Sequence, residues 1–163
     1  MPRPLHVGLV YGGLSSEHEI SIRSARNVLA MLGDRHRVTP ILITSGGQWL
    51  VQTPEALAMD DPASGGGLPV MLAPMSETCS VLVGGESVSE LDLDVVFPIL
   101  HGQNGEDGRV QGFLHTVGLP YVGPDVLGSA VCWDKDVAKR LLEHAGLPVT
   151  PYWTVRRGED VAW

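Results

Sequence analysis

The sequence predicts an α/β protein built around a parallel sheet, and three observations support this fold class. An apolar strand, a glycine turn, an amphipathic helix and a second apolar strand follow one another within residues 6–43, in the order of a β-α-β unit. The 20 glycines and 12 prolines suit strands that end in tight turns better than they suit a helical bundle. A chain of 163 residues, 44% of them hydrophobic, is long enough to bury a core without disulfides or structural metal.

The first strand is predicted over residues 6–11, whose sequence HVGLVY is apolar on both faces. Gly12 and Gly13 begin the turn that leaves this strand. The next strand is predicted over residues 38–43, with the sequence VTPILI. Because the two strands of a β-α-β unit are parallel, the turn at Gly12 should lie at the carboxyl edge of the sheet.

The helix between these two strands should start at Ser16. A serine followed three residues later by a glutamate, here Glu19, predicts a capping box. The helix should continue to Gly33, because apolar residues recur at helical spacing up to that glycine, namely Ile22, Ala25, Val28, Leu29 and Leu32.

Residues 53–90 predict little beyond secondary structure. Pro54 should begin a short helix, and residues 70–72 and 81–83 should form strands. We assign no chemistry to this stretch. It is followed by a buried strand over residues 94–100, with the sequence DVVFPIL.

The remaining chain alternates loops with short elements. The glycine-rich loop of residues 101–108 precedes a helix over 110–117, a short strand over 120–122, a helix from 126, a helix from the N-cap Asp134 to Gly146, and a strand over 149–155. Residues 161–163 carry no capping or turn signal, so the sequence suggests that the chain stops inside a second domain.

The charge balance argues against several classes of function. Eleven Lys and Arg against nineteen Asp and Glu give a formal net charge of −8, which repels nucleic acids and anionic membranes. No apolar run approaches the roughly 20 residues of a membrane span, and no signal peptide is predicted. The two cysteines occur singly and far apart, which favours a cytoplasmic location.

The first candidate site is the turn of residues 12–19, GGLSSEHE. A glycine turn between a strand and a helix often binds phosphate, but two carboxylates in the first helical turn would repel a phosphate. The carboxylate of Glu17 instead favours a cationic group such as an amine. A structural alternative stays open, in which Glu19 serves only the capping box, Glu17 complements the helix dipole and the glycines serve only the turn.

The second candidate site is the loop of residues 101–108, HGQNGEDG. Open parallel sheets bind ligands beyond the carboxyl ends of their strands, where this loop and the Gly12 turn should meet. The three glycines permit close backbone approach, and His101 can donate or accept a proton near neutral pH. Two alternatives stay open: a metal site of His101, Glu106 and Asp107, which lacks a second histidine at ligand spacing, and structural roles for both carboxylates, with Asp107 as the N-cap of the next helix.

The third candidate is Lys135, in the first turn of the helix that Asp134 should cap. A cation at this end of a helix opposes the macrodipole, which suggests a contact with phosphate. The alternative is a solvated lysine beside Asp134.

Three segments together carry a family resemblance: GGLSSEHEISIRSARNV from Gly12, VVFPILHGQNGEDGRVQGFLHTVGLPYVGPDVLGSA from Val95, and DKDVAKRLLEHAGLPV from Asp134. They resemble the amino-terminal part of the D-alanine:D-alanine ligases of the ATP-grasp superfamily. The resemblance implies a Rossmann-like, parallel-sheet (pre-ATP-grasp) domain over residues 1–122 and the start of an ATP-grasp central domain over residues 123–163.

In that family, ATP phosphorylates the carboxylate of one D-alanine, and the amine of a second D-alanine attacks the acylphosphate to give the dipeptide used in peptidoglycan synthesis. The resemblance implies that Glu17 acts in catalysis and binds the ammonium of the first D-alanine. It also implies that His101 lies beside this amino acid, and that Ser16, Gly12 and Gly13 shape the pocket.

The resemblance further implies that Lys135 reaches the ATP phosphates and that the chain forms a homodimer through its amino-terminal domain. The family's Mg²⁺ ligands and its oxyanion arginine come from later sequence, so no metal ligand is predicted here and the chain alone is expected to be inactive. Trp133 stands where the family commonly has methionine. Three alternatives stay open: a non-catalytic binding or dimerisation module, another ATP-grasp amine ligase, and a ligase that joins D-alanine to D-lactate or D-serine.

Overall fold

The computed structural model describes residues 3–74, 79–83 and 89–159. Within these ranges the chain forms seven strands, five α-helices and one short 3-10 helix at Pro62–Gly65. In chain order, the strands and α-helices are β1 (His6–Gly12), α1 (His18–Leu32), β2 (Arg37–Ile43), β3 (Trp49–Val51), α2 (Pro54–Ala58), β4 (Leu68–Pro74), β5 (Cys79–Val83), β6 (Ser89–Leu91), β7 (Val95–Pro98), α3 (Arg109–Thr116), α4 (Val126–Trp133) and α5 (Lys135–His144).

The described strands form one sheet in the order β6-β5-β4-β3-β2-β1-β7. Strand β1 lies between β2 and β7 and is parallel to both, so that Val10 is opposite Ile41 on one side and Pro98 on the other. Beyond β2 the neighbouring strands are antiparallel. The predicted α/β class and the parallel β-α-β unit are confirmed, and the strands between residues 49 and 91 extend the sheet as an antiparallel half.

The core lies on both faces of the sheet, and β1 contributes to both sides. Val10 packs in a cluster with Leu114 of α3, whereas Leu9 and Tyr11 pack on the opposite face with Ile22 of α1. Successive side chains of a strand point to opposite faces, so a central strand covered by helices on both sides must be apolar throughout. This packing explains the continuous apolar run of residues 6–11.

The predicted starts of α2 and α5 are confirmed. Helix α2 begins at Pro54 after Thr53, whose hydroxyl oxygen accepts a hydrogen bond from the first turn of the helix. Helix α5 begins after Asp134, whose Oδ1 accepts from the backbone N–H groups of Asp136 at 3.0 Å and Val137 at 3.1 Å. Both caps satisfy N–H groups that a helix start otherwise leaves unpaired.

The strand predicted over residues 149–155 is wrong, because this segment has no regular secondary structure. A strand requires a neighbour to pair with, and the described part of the chain offers none here. The segment contacts α5 through side chains instead. The Thr154 hydroxyl donates to Asp136 at 2.6 Å, and Lys139 Nζ lies 4.5 Å from the centre of the Tyr152 ring.

The short strand predicted over residues 120–122 is reduced to one parallel bridge between Val96 and Tyr121. Residues 160–163, which include the end where the sequence suggests an interrupted second domain, lie outside the described residues. In the described ranges, no helix combines the length and the apolar composition that crossing a membrane requires.

Candidate functional site

The turn that leaves β1 is tied to the ends of β2 and α1. Gly12 and Gly13 have φ angles of +88° and +96°, and a Cβ on Gly12 would lie 2.3 Å from the Ile43 carbonyl oxygen. Both features require glycine at position 12. The Gly13 N–H donates to Ile43 at 2.8 Å, and the Gly12 N–H donates to the buried Ser21 hydroxyl at 2.7 Å. The predicted glycine turn therefore has a fixed shape.

The capping box predicted from Ser16 and Glu19 is wrong. Helix α1 begins at His18 and has Glu17 as its N-cap residue, without a side-chain capping bond. The reason is a turn closed by the His18 N–H and the Ser15 carbonyl at 3.2 Å, which places Ser16 within the turn instead of at the helix start. Ser16, Glu17 and Glu19 are all exposed, so the carboxylates remain accessible to a ligand.

Ser15 connects this turn to the second predicted loop. Its hydroxyl accepts from the Glu17 N–H at 3.0 Å and donates to the His101 carbonyl at 2.7 Å. A Cβ on Gly102 would lie 2.5 Å from Glu17 Oε2 and 3.0 Å from Ser15 Oγ. The Glu17 carboxylate and the backbone after His101 therefore lie next to each other, as the sequence predicts for two loops at one edge of the sheet.

The carboxylates of the 101–108 loop hold its backbone in place. Glu106 Oε2 accepts from the Gly102 N–H at 2.9 Å, and Asp107 Oδ2 accepts from the Asn104 N–H at 3.0 Å and pairs with Arg109 at 2.9 Å. These bonds support the structural alternative for Glu106 and Asp107. In the described residues, no group of three or more potential metal ligands clusters, so the alternative of a metal site formed by His101, Glu106 and Asp107 is not supported.

Asp107 is not the N-cap of the following helix, contrary to that alternative. Helix α3 begins at Arg109, and its N-cap residue is Gly108, with a φ of +92° and no side-chain capping bond. A Cβ on Gly108 would lie 2.8 Å from the Val126 carbonyl oxygen at the start of α4. The close approach of α4 therefore requires glycine at the N-cap position, and Asp107 precedes it.

The His101 side chain is 27% exposed and faces two polar side chains. Its Nδ1 lies 3.9 Å from Glu106 Oε1, and its Nε2 lies 3.2 Å from the Ser24 hydroxyl of α1. Sequence reasoning missed Ser15, Ser21 and Ser24. The available signal for Ser21 and Ser24 was spacing, because together with Glu17 they follow the i, i+4, i+7 pattern of one helix face.

A cavity of about 240 Å³ lies between the two predicted loops. Gly12, Gly13 and His101 line it, whereas Glu17 is outside the lining, beside Gly102. The remaining walls are mainly apolar and are formed by Leu14, Ile43, Trp49, Leu100, Gln103, Asn104, Gly105, Arg109, Val110 and Phe113. Such a cavity provides room for a small apolar group close to the backbone of Gly12 and Gly13.

Lys135 lines a second cavity, of about 440 Å³, which also contains Glu106. Leu100 and Gly105 line both cavities, so the two are neighbours. Lys135 is the first residue of α5, and its Nζ donates to the Cys132 carbonyl at 2.9 Å. The side chain is exposed and its ammonium group is available to an anion, so the phosphate hypothesis and the solvated alternative both remain compatible with this position.

Two residues that line the second cavity each carry a buried polar atom without a partner in the described chain. Gln111 Oε1 and Ser129 Oγ have no hydrogen-bond partner within the described chain, although both residues line the cavity and are less than 10% exposed. Buried polar atoms are normally paired, so these two residues are exceptions in the lining of the cavity that Lys135 shares.

Comparison with known proteins identifies the family of the chain. The family model described as "D-ala D-ala ligase N-terminus" matches residues 6–124. The chain is 44% identical to D-alanine–D-alanine ligase A of Chromobacterium violaceum, over 95% of this chain and 44% of the relative. It is 49% identical to a D-alanine–D-alanine ligase of Methylobacterium sp. (strain 4-46), over 97% of this chain and 42% of the relative.

Solved structures show the same fold. The D-alanine-D-alanine ligase of Coxiella burnetii superposes with a TM-score of 0.81 and 35% identity, covering 92% of this chain and 44% of that one. The VanG D-Ala:D-Ser ligase of Enterococcus faecalis superposes with a TM-score of 0.78 and 32% identity, covering 90% and 43%. The chain spans less than half the length of these relatives, and the family model covers most of the chain. The chain therefore belongs to the D-alanine–D-alanine ligase family, whose amino-terminal region it contains.

Proposed function

We propose that this chain is the amino-terminal, substrate-binding part of an ATP-dependent D-alanine:D-alanine ligase that makes D-alanyl-D-alanine for peptidoglycan synthesis. The proposal rests mainly on one observation: the Glu17 carboxylate lies against the backbone at Gly102. This contact brings the acidic turn and the histidine loop together beside one cavity. Membership of the family supplies the class of reaction, and the names of the relatives supply the substrate.

Glu17 suits a substrate ammonium group. Its carboxylate is exposed, and an ammonium that reaches it forms a charge-assisted hydrogen bond, which is stronger than a neutral one. The adjoining cavity has apolar walls that suit a methyl group, and the side-chain-free turn at Gly12 and Gly13 leaves room for it. In this proposal His101 contacts the same amino acid, while Ser16 contributes to the shape of the turn.

We propose that Lys135 binds a phosphate of ATP. Its cavity adjoins the cavity of Gly12 and His101, so a phosphate near Lys135 would be close to the amino-acid site. When bound, ATP supplies the phosphoryl group that activates the substrate carboxylate. The described residues contain no cluster of metal ligands, and we propose that the Mg²⁺ ligands lie in the part of the relatives that this chain does not span.

We further propose that residues 1–122 form the substrate-binding domain and that residues 123–163 begin the ATP-grasp domain. Helix α5 supports this division, since none of its residues is buried although it carries Leu141 and Leu142. We propose a cytoplasmic location, which agrees with two cysteines that occur singly and far apart in the sequence. The homodimer remains a proposal that rests on the family resemblance.

The direct test replaces Glu17 in a protein of the relatives' length that contains this chain. Glu17→Gln removes the charge and nearly preserves the shape, so the D-alanine-dependent kcat/KM should fall. The decrease should correspond to a loss of roughly 2 to 4 kcal/mol of transition-state stabilisation. The KM for ATP should stay near the wild-type value. Glu19→Gln is the matched control, because Glu19 is also an exposed carboxylate in the first turn of α1.

Equal decreases of the D-alanine-dependent kcat/KM in Glu17→Gln and Glu19→Gln would contradict the proposed role of Glu17. An effect on ATP alone would show that the glycine turn binds phosphate. The 163-residue chain by itself should release no phosphate when D-alanine and ATP are supplied, and release above the blank would contradict the assignment of the missing groups to the rest of the relatives.

A second candidate function is a ligase that uses D-serine instead of D-alanine as its second substrate. The chain superposes on a D-Ala:D-Ser ligase almost as well as on a D-alanine-D-alanine ligase, so this fold suits either activity. Competition between D-alanine and D-serine in the same ligation assay, with product mass as the readout, distinguishes the two. Adding D-lactate to the same assay would reveal a D-alanine:D-lactate product by its mass.

A further inference from the structure

We propose that Ser24 is a positioning residue that holds His101 in the tautomer with its proton on Nε2. The proposal concerns the ring of His101 and needs no ligand. Its consequence for substrate binding rests on the proposed function, in which His101 contacts D-alanine.

The argument begins with the single proton of the Ser24 hydroxyl. Ser24 Oγ lies 2.8 Å from the Ile20 carbonyl oxygen, one turn earlier in α1, and 3.2 Å from His101 Nε2. A carbonyl oxygen only accepts, so the hydroxyl must donate to Ile20 if this bond is to form. The lone pairs of Oγ then face the histidine, and Nε2 can bond to them only by carrying a proton.

The other neutral tautomer makes fewer hydrogen bonds. With its proton on Nδ1, His101 would need Ser24 to donate to Nε2, and the shorter bond to Ile20 would be lost. Nδ1 would gain no hydrogen bond in exchange, since the nearest carboxylate oxygen, Glu106 Oε1, lies 3.9 Å away. The other oxygen of Glu106 already accepts from the Gly102 N–H at 2.9 Å.

The arrangement also specifies the role of each ring nitrogen in the neutral histidine. Nε2 donates to Ser24 Oγ. Nδ1, on the side of Glu106, is therefore the nitrogen that carries the free lone pair. In this way Ser24 determines which edge of His101 can accept a hydrogen bond or a proton from a ligand.

Helix stability does not account for the serine. A serine within a helix is a weaker helix former than alanine, and its bond to the i−4 carbonyl slightly disfavours the helix. Thr116 of α3 makes the same type of bond, with its hydroxyl 2.7 Å from the Gly112 carbonyl, and it is exposed. Thr116→Ala is therefore a matched control that removes such a bond elsewhere.

The test is ¹⁵N NMR of the histidine rings in the 163-residue chain, at a pH where the His101 ring is neutral. The chemical shifts of the two ring nitrogens report which one carries the proton, and loss of the signal in His101→Gln assigns it. In the wild type, the Nε2-protonated form should predominate. In Ser24→Ala, the ratio of the Nε2-protonated to the Nδ1-protonated form should fall about five- to tenfold. A change of this size is the effect of one neutral hydrogen bond.

Ser24→Thr keeps the hydroxyl and should restore the wild-type ratio, and Thr116→Ala should leave it unchanged. A wild-type ring protonated mainly on Nδ1 would overturn the proposal, whether or not Ser24→Ala folds. A Ser24→Ala ratio equal to that of the wild type would also overturn it.

A separate readout tests the consequence. In a protein of the relatives' length, Ser24→Ala should raise the KM for D-alanine up to about tenfold and leave the KM for ATP unchanged. A changed tautomer ratio with unchanged kinetics would support the Ser24 inference and contradict the proposed role of His101, so the two failures are distinguishable.

Discussion

The hydroxyl of Tyr11 donates to the side-chain amide oxygen of Gln52 in the interior of the protein. Both residues are buried, and burial raises the pKa of Tyr11 well above its ordinary value. The amide nitrogen of Gln52 donates onward to the carbonyls of Pro62 at 2.7 Å and Gly66 at 2.5 Å. Gln52 therefore joins central strand β1 to the loop that follows α2, and each of its polar atoms has a partner.

Tyr11→Phe should destabilise the fold by about 1 to 3 kcal/mol, because it leaves the buried oxygen of Gln52 without a donor. Urea unfolding measures this loss. Tyr121→Phe is the control, since the ring of Tyr121 packs against the core at the edge of β7, and it should change stability by less than about 0.5 kcal/mol. Equal losses in the two variants would show that the Tyr11 hydroxyl contributes nothing specific.

Gly102→Ala should damage the candidate site as well as the backbone. Gly102 has a φ of +72°, which costs an alanine about 1 to 2 kcal/mol, and the new Cβ would also collide with the Glu17 carboxylate. Gly118→Ala separates the two effects, because Gly118 has a φ of +75° and open space around its Cβ position.

We expect Gly118→Ala to lose stability only. Gly102→Ala should lose at least as much and should also abolish D-alanine-dependent activity in a protein of the relatives' length. The comparison requires urea unfolding and the ligation assay on both variants. Normal D-alanine kinetics in Gly102→Ala would show that the position of Glu17 does not matter.

Ser21→Ala should cost about 2 to 4 kcal/mol, because the hydroxyl of this fully buried serine has two backbone partners. It accepts from the Gly12 N–H at 2.7 Å and donates to the Ile99 carbonyl at 2.6 Å, so both groups would be left unpaired. Ser64→Ala is the control, since the exposed Ser64 hydroxyl makes one bond, to Asp61. Urea midpoints that fall equally in both variants would contradict this prediction.

Asp94 should make the free energy of unfolding depend on pH in the acidic range. The backbone N–H of His6 donates to its carboxylate at 2.7 Å and, with Arg3, lowers the pKa of Asp94 below its ordinary value of 3.8. A lowered folded-state pKa stabilises the protein above pH 3.8, and this contribution is lost as the pH falls through the folded-state value.

The measurement is the free energy of unfolding of the wild type and Asp94→Asn as a function of pH. The difference between the two should be constant above the ordinary aspartate pKa and should shrink as the pH falls below it. A difference that is the same in acid and at neutral pH would contradict this assignment.

The sequence could predict elements whose signals are local. The apolar run of β1, the cap at Asp134 and the glycine turn at Gly12 each follow from neighbouring residues, and the structure confirms them. The two loops were predicted to meet because parallel strands share an edge, and the approach of Glu17 to Gly102 agrees with this.

The errors occur where a competing turn forms or where an element needs a distant partner. Ser16 satisfies the pattern of a capping box, but the turn closed at Ser15 shifts the helix start to His18. Residues 149–155 have the composition of a strand without a neighbour to pair with in the described chain. The partnership of Ser24 and His101 joins residues 77 positions apart, which no local pattern specifies.

The order of strands in the sheet bears on how the protein folds during synthesis. Strands β1, β2 and the helix between them lie within the first 43 residues, so this unit can pair soon after it leaves the ribosome. The other neighbour of β1 is β7, whose closure spans a separation of 88 residues between His6 and Asp94. Closing such a long loop is entropically costly and slows folding. The pocket at the sheet edge, which needs the residues that follow β7, should therefore assemble after β1 and β2 have paired.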